Sequence, residues 1–142
     1  MSYFVTRLPH RRAYFYDEGQ IHGFRADFCA DFAVAENFVT KLTAMFYKIP
    51  IQRHNAKMGT YRELLDTSGR RFVVIGITEP FELSIGTVSV QVVCNVVTPI
   101  LTQVDERRRW RRWDVIIGYR FVERAREDLG DDFTEVLLER RS

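Results

Sequence analysis

Cysteine is scarce in this chain: two in 142 residues, Cys29 and Cys94. They stand far apart and outside any CxxC spacing, so neither a disulfide framework nor a close-spaced zinc site is expected. Both are read as reduced thiols. Proline (four) and glycine (eight) are sparse and scattered, which excludes collagen-like and low-complexity architectures. No GxGxxG or GxxxxGK[ST] phosphate loop is present. Lysine is nearly missing, with three residues against eighteen arginines. Arginine binds carboxylate and phosphate through planar, bidentate contacts, so an Arg-rich surface suits protein interfaces and nucleic acid alike. The net charge of +2 does not choose between them. No apolar run approaches the roughly 20 residues of a membrane helix. The opening MSYFVTRLPHRR lacks the apolar centre of a signal peptide, so a cytosolic setting is expected.

What is present is a well-patterned apolar set, 46% of the chain, with 13% aromatics, enough for one domain over 1–142 with a core. From Phe24 to Val34 every second residue is apolar, and Arg25, Asp27, Cys29, Asp31 and Ala33 lie between. Period 2 marks a strand with one buried and one wet face, here taken as Ile21–Val34. The period then changes. Phe38, Val39, Leu42, Met45, Phe46 and Ile49 form one stripe of a helix over 36–49 that Pro50 ends.

Tyr61–Leu65 and Arg71–Ile77 make a hairpin across Asp66-Thr67-Ser68-Gly69, and the apolar run Phe72–Ile77 is taken as central. Thr87–Val97 alternates as another long strand. Residues 1–20 form an arm or edge strands, with a turn at Asp17-Glu18-Gly19. Residues 103–112 are an Arg-rich loop, and 113–140 a C-terminal hairpin: Trp113–Val122 is a strand, and Phe133–Arg140 a strand or a short helix. The expected fold class is α+β, a mostly antiparallel sheet of about six or seven strands packed by one main helix (36–49).

Catalytic sets are absent by spacing. His10, His22 and His54 share no recognisable spacing with Ser, Cys or Asp, and no metal or cofactor is implied. Asp27 and Asp31 lie on one strand face about 13 Å apart, too far to share a proton. That face, with Arg25, is either solvated or meets a neighbouring subunit. The strongest local signal is Arg107, Arg108, Arg109, Trp110, Arg111, Arg112 and Trp113, which as a block fit a subunit interface, a solvated face or an anionic partner.

The order of elements resembles that of small proteins at the neck and tail end of long-tailed bacteriophages. It combines an alternating strand, the helix ENFVTKLTAMFYKIP, the hairpin around LLDTSGRRFVVIGITEPFEL and the strand TVSVQVVCNVVTPIL. The pattern covers residues 21–102. The resemblance implies a non-enzymatic tail terminator, tail-completion or sheath-stabilising subunit. Such a subunit forms a homo-oligomeric ring, commonly hexameric, in the virion; it joins tail to head, contacts tail, sheath or connector proteins, and DNA passes through the ring. The rival readings are a nucleic-acid-binding or matrix-like module that uses residues 107–113, and a small enzyme built on His22, His54 or Asp27.

Overall fold

The computed structural model describes residues 14–53, 62–67, 69–100 and 113–129. Within them the chain forms β1 (Tyr14–Ile21), β2 (Phe24–Asp31), β3 (Phe38–Thr40), α1 (Lys41–Phe46), β4 (Ile51–Arg53), β5 (Glu63–Leu65), β6 (Arg71–Thr78), β7 (Phe81–Ile85), β8 (Val88–Val92), β9 (Asn95–Pro99), β10 (Val115–Gly118) and α2 (Tyr119–Leu129). All ten strands join one sheet, in the order β4-β6-β9-β3-β10-β2-β1-β7-β8, with β5 paired to β6. The β10–β2 and β3–β9 pairs are parallel and the rest antiparallel.

The sheet is buried on both sides at its centre. Ala26, Phe28, Ala30, Val39, Val96, Val115 and Ile117 enter a large core that also takes Leu83, Ile85, Val90 and Val92 from the far strands. Cys29, Phe38, Val97 and Ile116 face the other way, into a smaller core with Leu64, Phe72 and Trp113. Neighbours along one strand therefore supply different cores, as alternation requires. Strands covered on both faces read as continuous apolar runs, which describes VIIG at 115–118.

The expected architecture is corrected: ten strands with two short helices replace six or seven strands packed by one main helix. The expected helix 36–49 is strand β3 followed by α1, which is only six residues long. Phe38 and Val39 both fit one helical stripe, but the fold needs them on opposite faces of an interior strand, and long-range pairing overrides local period. The Thr40 side chain accepts the Thr43 N–H and caps α1 at its start. Of the rest of the stripe, Leu42, Met45 and Phe46 are exposed and Ile49 is buried, while Thr43 and Ala44 between them are also buried.

The single strand Ile21–Val34 is also corrected. It is the second arm of a hairpin, and its two-residue turn, His22-Gly23, has positive φ at both positions (52° and 80°). That geometry matches the right-handed strand twist. Asp17-Glu18-Gly19 is no turn, because these residues pair in unbroken register with Phe28, Asp27 and Ala26. Thr87–Val97 is two strands. The chain breaks at Val93-Cys94 because β8 pairs with β7 whereas β9 pairs with β3 and β6.

Trp113–Val122 changes from strand to helix after Gly118, which removes the expected 113–140 hairpin as far as Leu129. The first N–H groups of α2 have ready acceptors: Tyr119 donates to the Val34 carbonyl and Arg120 to that of Ala35. The expected elements at 1–13, 103–112 and 133–140, and His10 and His54, lie outside the described residues.

Asn37 ties the centre together. Its Oδ1 accepts the Gly118 N–H at 3.0 Å, and its Nδ2 donates to the Val93 carbonyl at 3.2 Å. Alanine at this position would leave the buried Gly118 N–H unpartnered and free the half-buried Val93 carbonyl, so Asn37→Ala is expected to lose about 1–3 kcal/mol. A urea midpoint unchanged from that of the unaltered chain would contradict this role.

Candidate functional site

Asp31 ends β2 and starts the turn Asp31–Val34. The Val34 N–H donates to its backbone carbonyl at 3.3 Å, and the Ala33 N–H donates to its Oδ1 at 2.9 Å. The residue is 3% exposed, although its strand face looked wet in the sequence. What covers that face is the β5–β6 hairpin. Leu64 and Phe72 are opposed across the hairpin and pack with Cys29, two residues before Asp31 on the same face. Trp113 closes the cluster from the start of β10, with its ring centroid 5.3 Å from that of Phe72. Burial pushes the Asp31 carboxyl above its ordinary value. The Ala33 N–H opposes that shift, and the nearby charge of Asp66 adds to it.

Asp66 sits in the hairpin turn and is itself buried. Its Oδ1 accepts the Arg70 N–H at 2.8 Å, and its Oδ2 accepts the Trp113 indole N–H at 3.1 Å. Both oxygens are thereby engaged. Asp31 differs, since its second oxygen takes no hydrogen bond from the described residues. The two carboxyls share one small core and do different work. One anchors a turn, and the other is held in an environment that favours its protonated form.

The residues singled out from sequence divide between the two ends of β2. Arg25 is exposed and pairs with Glu18 (3.4 Å) and Asp27 (3.3 Å). Such solvated pairs contribute little. The Asp27 backbone exchanges hydrogen bonds with Asp114, fixing the parallel alignment of β10 on β2. Trp113 lies two residues before Val115, the partner of Phe28, and so stands toward the Asp27 end of β2, whereas Asp31 pairs with Gly118 at the other end. Arg107, Arg108, Arg109, Trp110, Arg111 and Arg112 lie outside the described residues. Asp66 was read only as part of a turn, and Cys29 as a wet-face thiol. His22 belongs to the β1–β2 turn.

Near the β2–β3 connection a cleft of about 560 Å³ opens toward α2, lined by Glu36, Asn95, Arg120 and Arg124 among others. Glu36 is already engaged there by Arg62 and Asn95. No group of three or more His, Cys, Asp or Glu residues arranged to hold a metal ion occurs among the described residues.

No family model matches the chain, and no curated protein matches it. Solved structures do. One is the crystal structure of the retroviral protease-like domain of Ddi1 from Leishmania major, with a TM-score of 0.54 and 12% identity over 82% of this chain and 80% of that one. At that identity the likeness is one of fold. It corrects the tail-terminator reading, because the similar structure is a protease-like domain, while the alternative rests on a block of which only Trp113 is among the described residues.

Proposed function

We propose that this chain is an aspartic-protease-type domain that hydrolyses peptide bonds as a homodimer, each copy supplying Asp31. The observation that supports it most is Asp31 itself: a buried carboxyl, one oxygen of which takes no hydrogen bond from the described residues, held toward its protonated form. The fold likeness supplies the class, since retroviral-type proteases work with two carboxyls that share one proton.

That chemistry needs a partner for Asp31. Asp66 is unsuited, because both of its oxygens are occupied by N–H donors. A two-fold axis bringing a second Asp31 beside the first would complete the pair, as a self-complementary dimer allows. One carboxylate then takes a proton from a water as its oxygen bonds to the scissile carbonyl carbon. The protonated partner hydrogen-bonds the carbonyl oxygen, and a proton passes to the amine as the C–N bond breaks. Water and one peptide give one acid and one amine.

A second reading is favoured by the 3% exposure of Asp31. With the hairpin closed a substrate cannot reach this carboxyl, which fits a domain that holds a peptide without cutting it. One experiment separates the two: turnover of a fluorogenic peptide library across a hundredfold range of protein concentration at pH 4–7. The proposal expects turnover per mole of chain to rise with concentration and level off as dimer saturates. Peptide binding without turnover at any concentration would sink it in favour of the second reading.

A further inference from the structure

The cleft of about 560 Å³ opens at the Asp31 end of β2, because Gly118 pairs with Asp31 and leads straight into α2. Its volume is that of a ligand site. Half-buried Ile77 gives it an apolar wall together with Val93, which is left 42% exposed. Arg120 and Arg124 line the same space from α2. Four residues apart, they share one helix face, with Cβ atoms about 6 Å apart. Neither guanidinium makes an ion pair or a hydrogen bond with the described residues. The first two N–H groups of α2 are spent on Val34 and Ala35, so the side chains supply the free donors.

The acids of the cleft do not cancel them. Glu36 is matched by Arg62, which leaves Glu123 against two guanidinium groups. Asn95 also lines the cleft and is 9% exposed. Its Nδ2 donates to Glu36 and to the Asn37 carbonyl, and its Oδ1 takes no hydrogen bond from the described residues. The cleft thus offers two neighbouring planar donors, one buried acceptor and an apolar wall. Planar guanidinium groups one turn apart suit a carboxylate. A peptide brings that carboxylate, an N–H for the Asn95 acceptor and side chains for the wall.

We propose that this cleft binds a carboxylate of an extended peptide through Arg120 and Arg124, with Asn95 Oδ1 accepting a peptide N–H. The inference rests on the reading of the chain as a peptide-binding domain and adds a preference to it: acidic peptides, anchored at the Asp31 end of β2.

Three pools of dye-labelled decapeptides, alike at all other positions, test this on the full chain by fluorescence anisotropy at pH 7. The first has Glu at a central position and an amidated C-terminus. The second has Gln there and a free C-terminal carboxylate. The third has Gln and an amide. Charge-assisted hydrogen bonds predict binding about tenfold tighter for at least one of the first two pools than for the third, and the tighter pool identifies the carboxylate. Arg120→Gln combined with Arg124→Gln is expected to erase that difference. Equal binding of all three pools by the unaltered chain overturns the inference. So does a preference that survives in the double variant, which would place the carboxylate elsewhere. Turnover of the fluorogenic library with equal binding of the pools sinks the cleft alone. A preference lost with the arginines, but no turnover, sinks hydrolysis alone.

Discussion

Asp31→Asn is expected to give a chain that is more stable than the original at neutral pH and loses hydrolysis by on the order of 10²–10⁴-fold. The two effects share one cause. Burial raises the Asp31 carboxyl above its ordinary 3.8, so the folded state binds its proton more tightly than the unfolded chain does. Where the folded form holds more protons, stability falls as pH rises. The contribution of Asp31 is therefore best below about pH 3.8 and is lost as pH climbs through the raised folded value. Asparagine carries no charge at any of these pH values, and its amide oxygen can still accept the Ala33 N–H.

Urea midpoints at pH 3.5 and pH 7 should thus diverge between the two proteins only at the higher pH. A variant destabilised equally at both would show that Asp31 is a plain structural acceptor. An acid kept where it weakens the fold is expected at a working site.

Gly118→Ala is expected to be among the most damaging single methyl additions. A Cβ at this position would sit 2.4 Å from the Glu36 carbonyl oxygen and 2.7 Å from the Ala35 carbonyl carbon. Both are backbone, so no side chain can swing aside. The strand end and the loop from Asp31 to β3 would have to part, and the Tyr119 and Arg120 N–H bonds to Val34 and Ala35 span that same contact. A cost of about 3 kcal/mol is expected, near the top of the overpacking range. In a domain of this size that lowers the thermal midpoint by about 10 °C. Gly23→Ala is the comparison. Its added Cβ meets nothing within 4 Å, and only its φ of +80° is strained, so about 1 kcal/mol is expected there. Equal losses in the two variants would refute the crowding argument.

Local signals were readable where local chemistry decides. The hairpin read as Tyr61–Leu65 and Arg71–Ile77 follows from an apolar pair of strands around a polar turn, and Leu64 does face Phe72 across it. Asp31 and Trp113 were both picked out, one as a charged-face residue and the other as part of a basic block. Their placement toward opposite ends of β2 was not legible, because it depends on β10 lying parallel to β2 across more than 80 residues of chain.

The helix errors have the same source. Phe38 and Val39 satisfy a helical stripe as well as an interior strand, and only their pairing with β9 and β10 decides. The alternation Val115, Ile117, Tyr119, Phe121 runs on past Gly118 because all four touch the large core, although the last two do so from a helix. Asp66 gave no signal beyond that of a turn residue, since its Trp113 partner comes from a distant segment.

The position of β10 also governs the order in which this molecule can be made. The strand lies between β2 and β3, yet it is the last of the ten to leave the ribosome. Until Val115–Gly118 arrives, the middle of the sheet is a gap flanked by two apolar strands with unpaired backbone groups. Folding is therefore a late, cooperative closure set by non-local contacts, which makes it slow. During synthesis those open edges can pair with another chain, and this interval is the one in which a chaperone would serve the protein best.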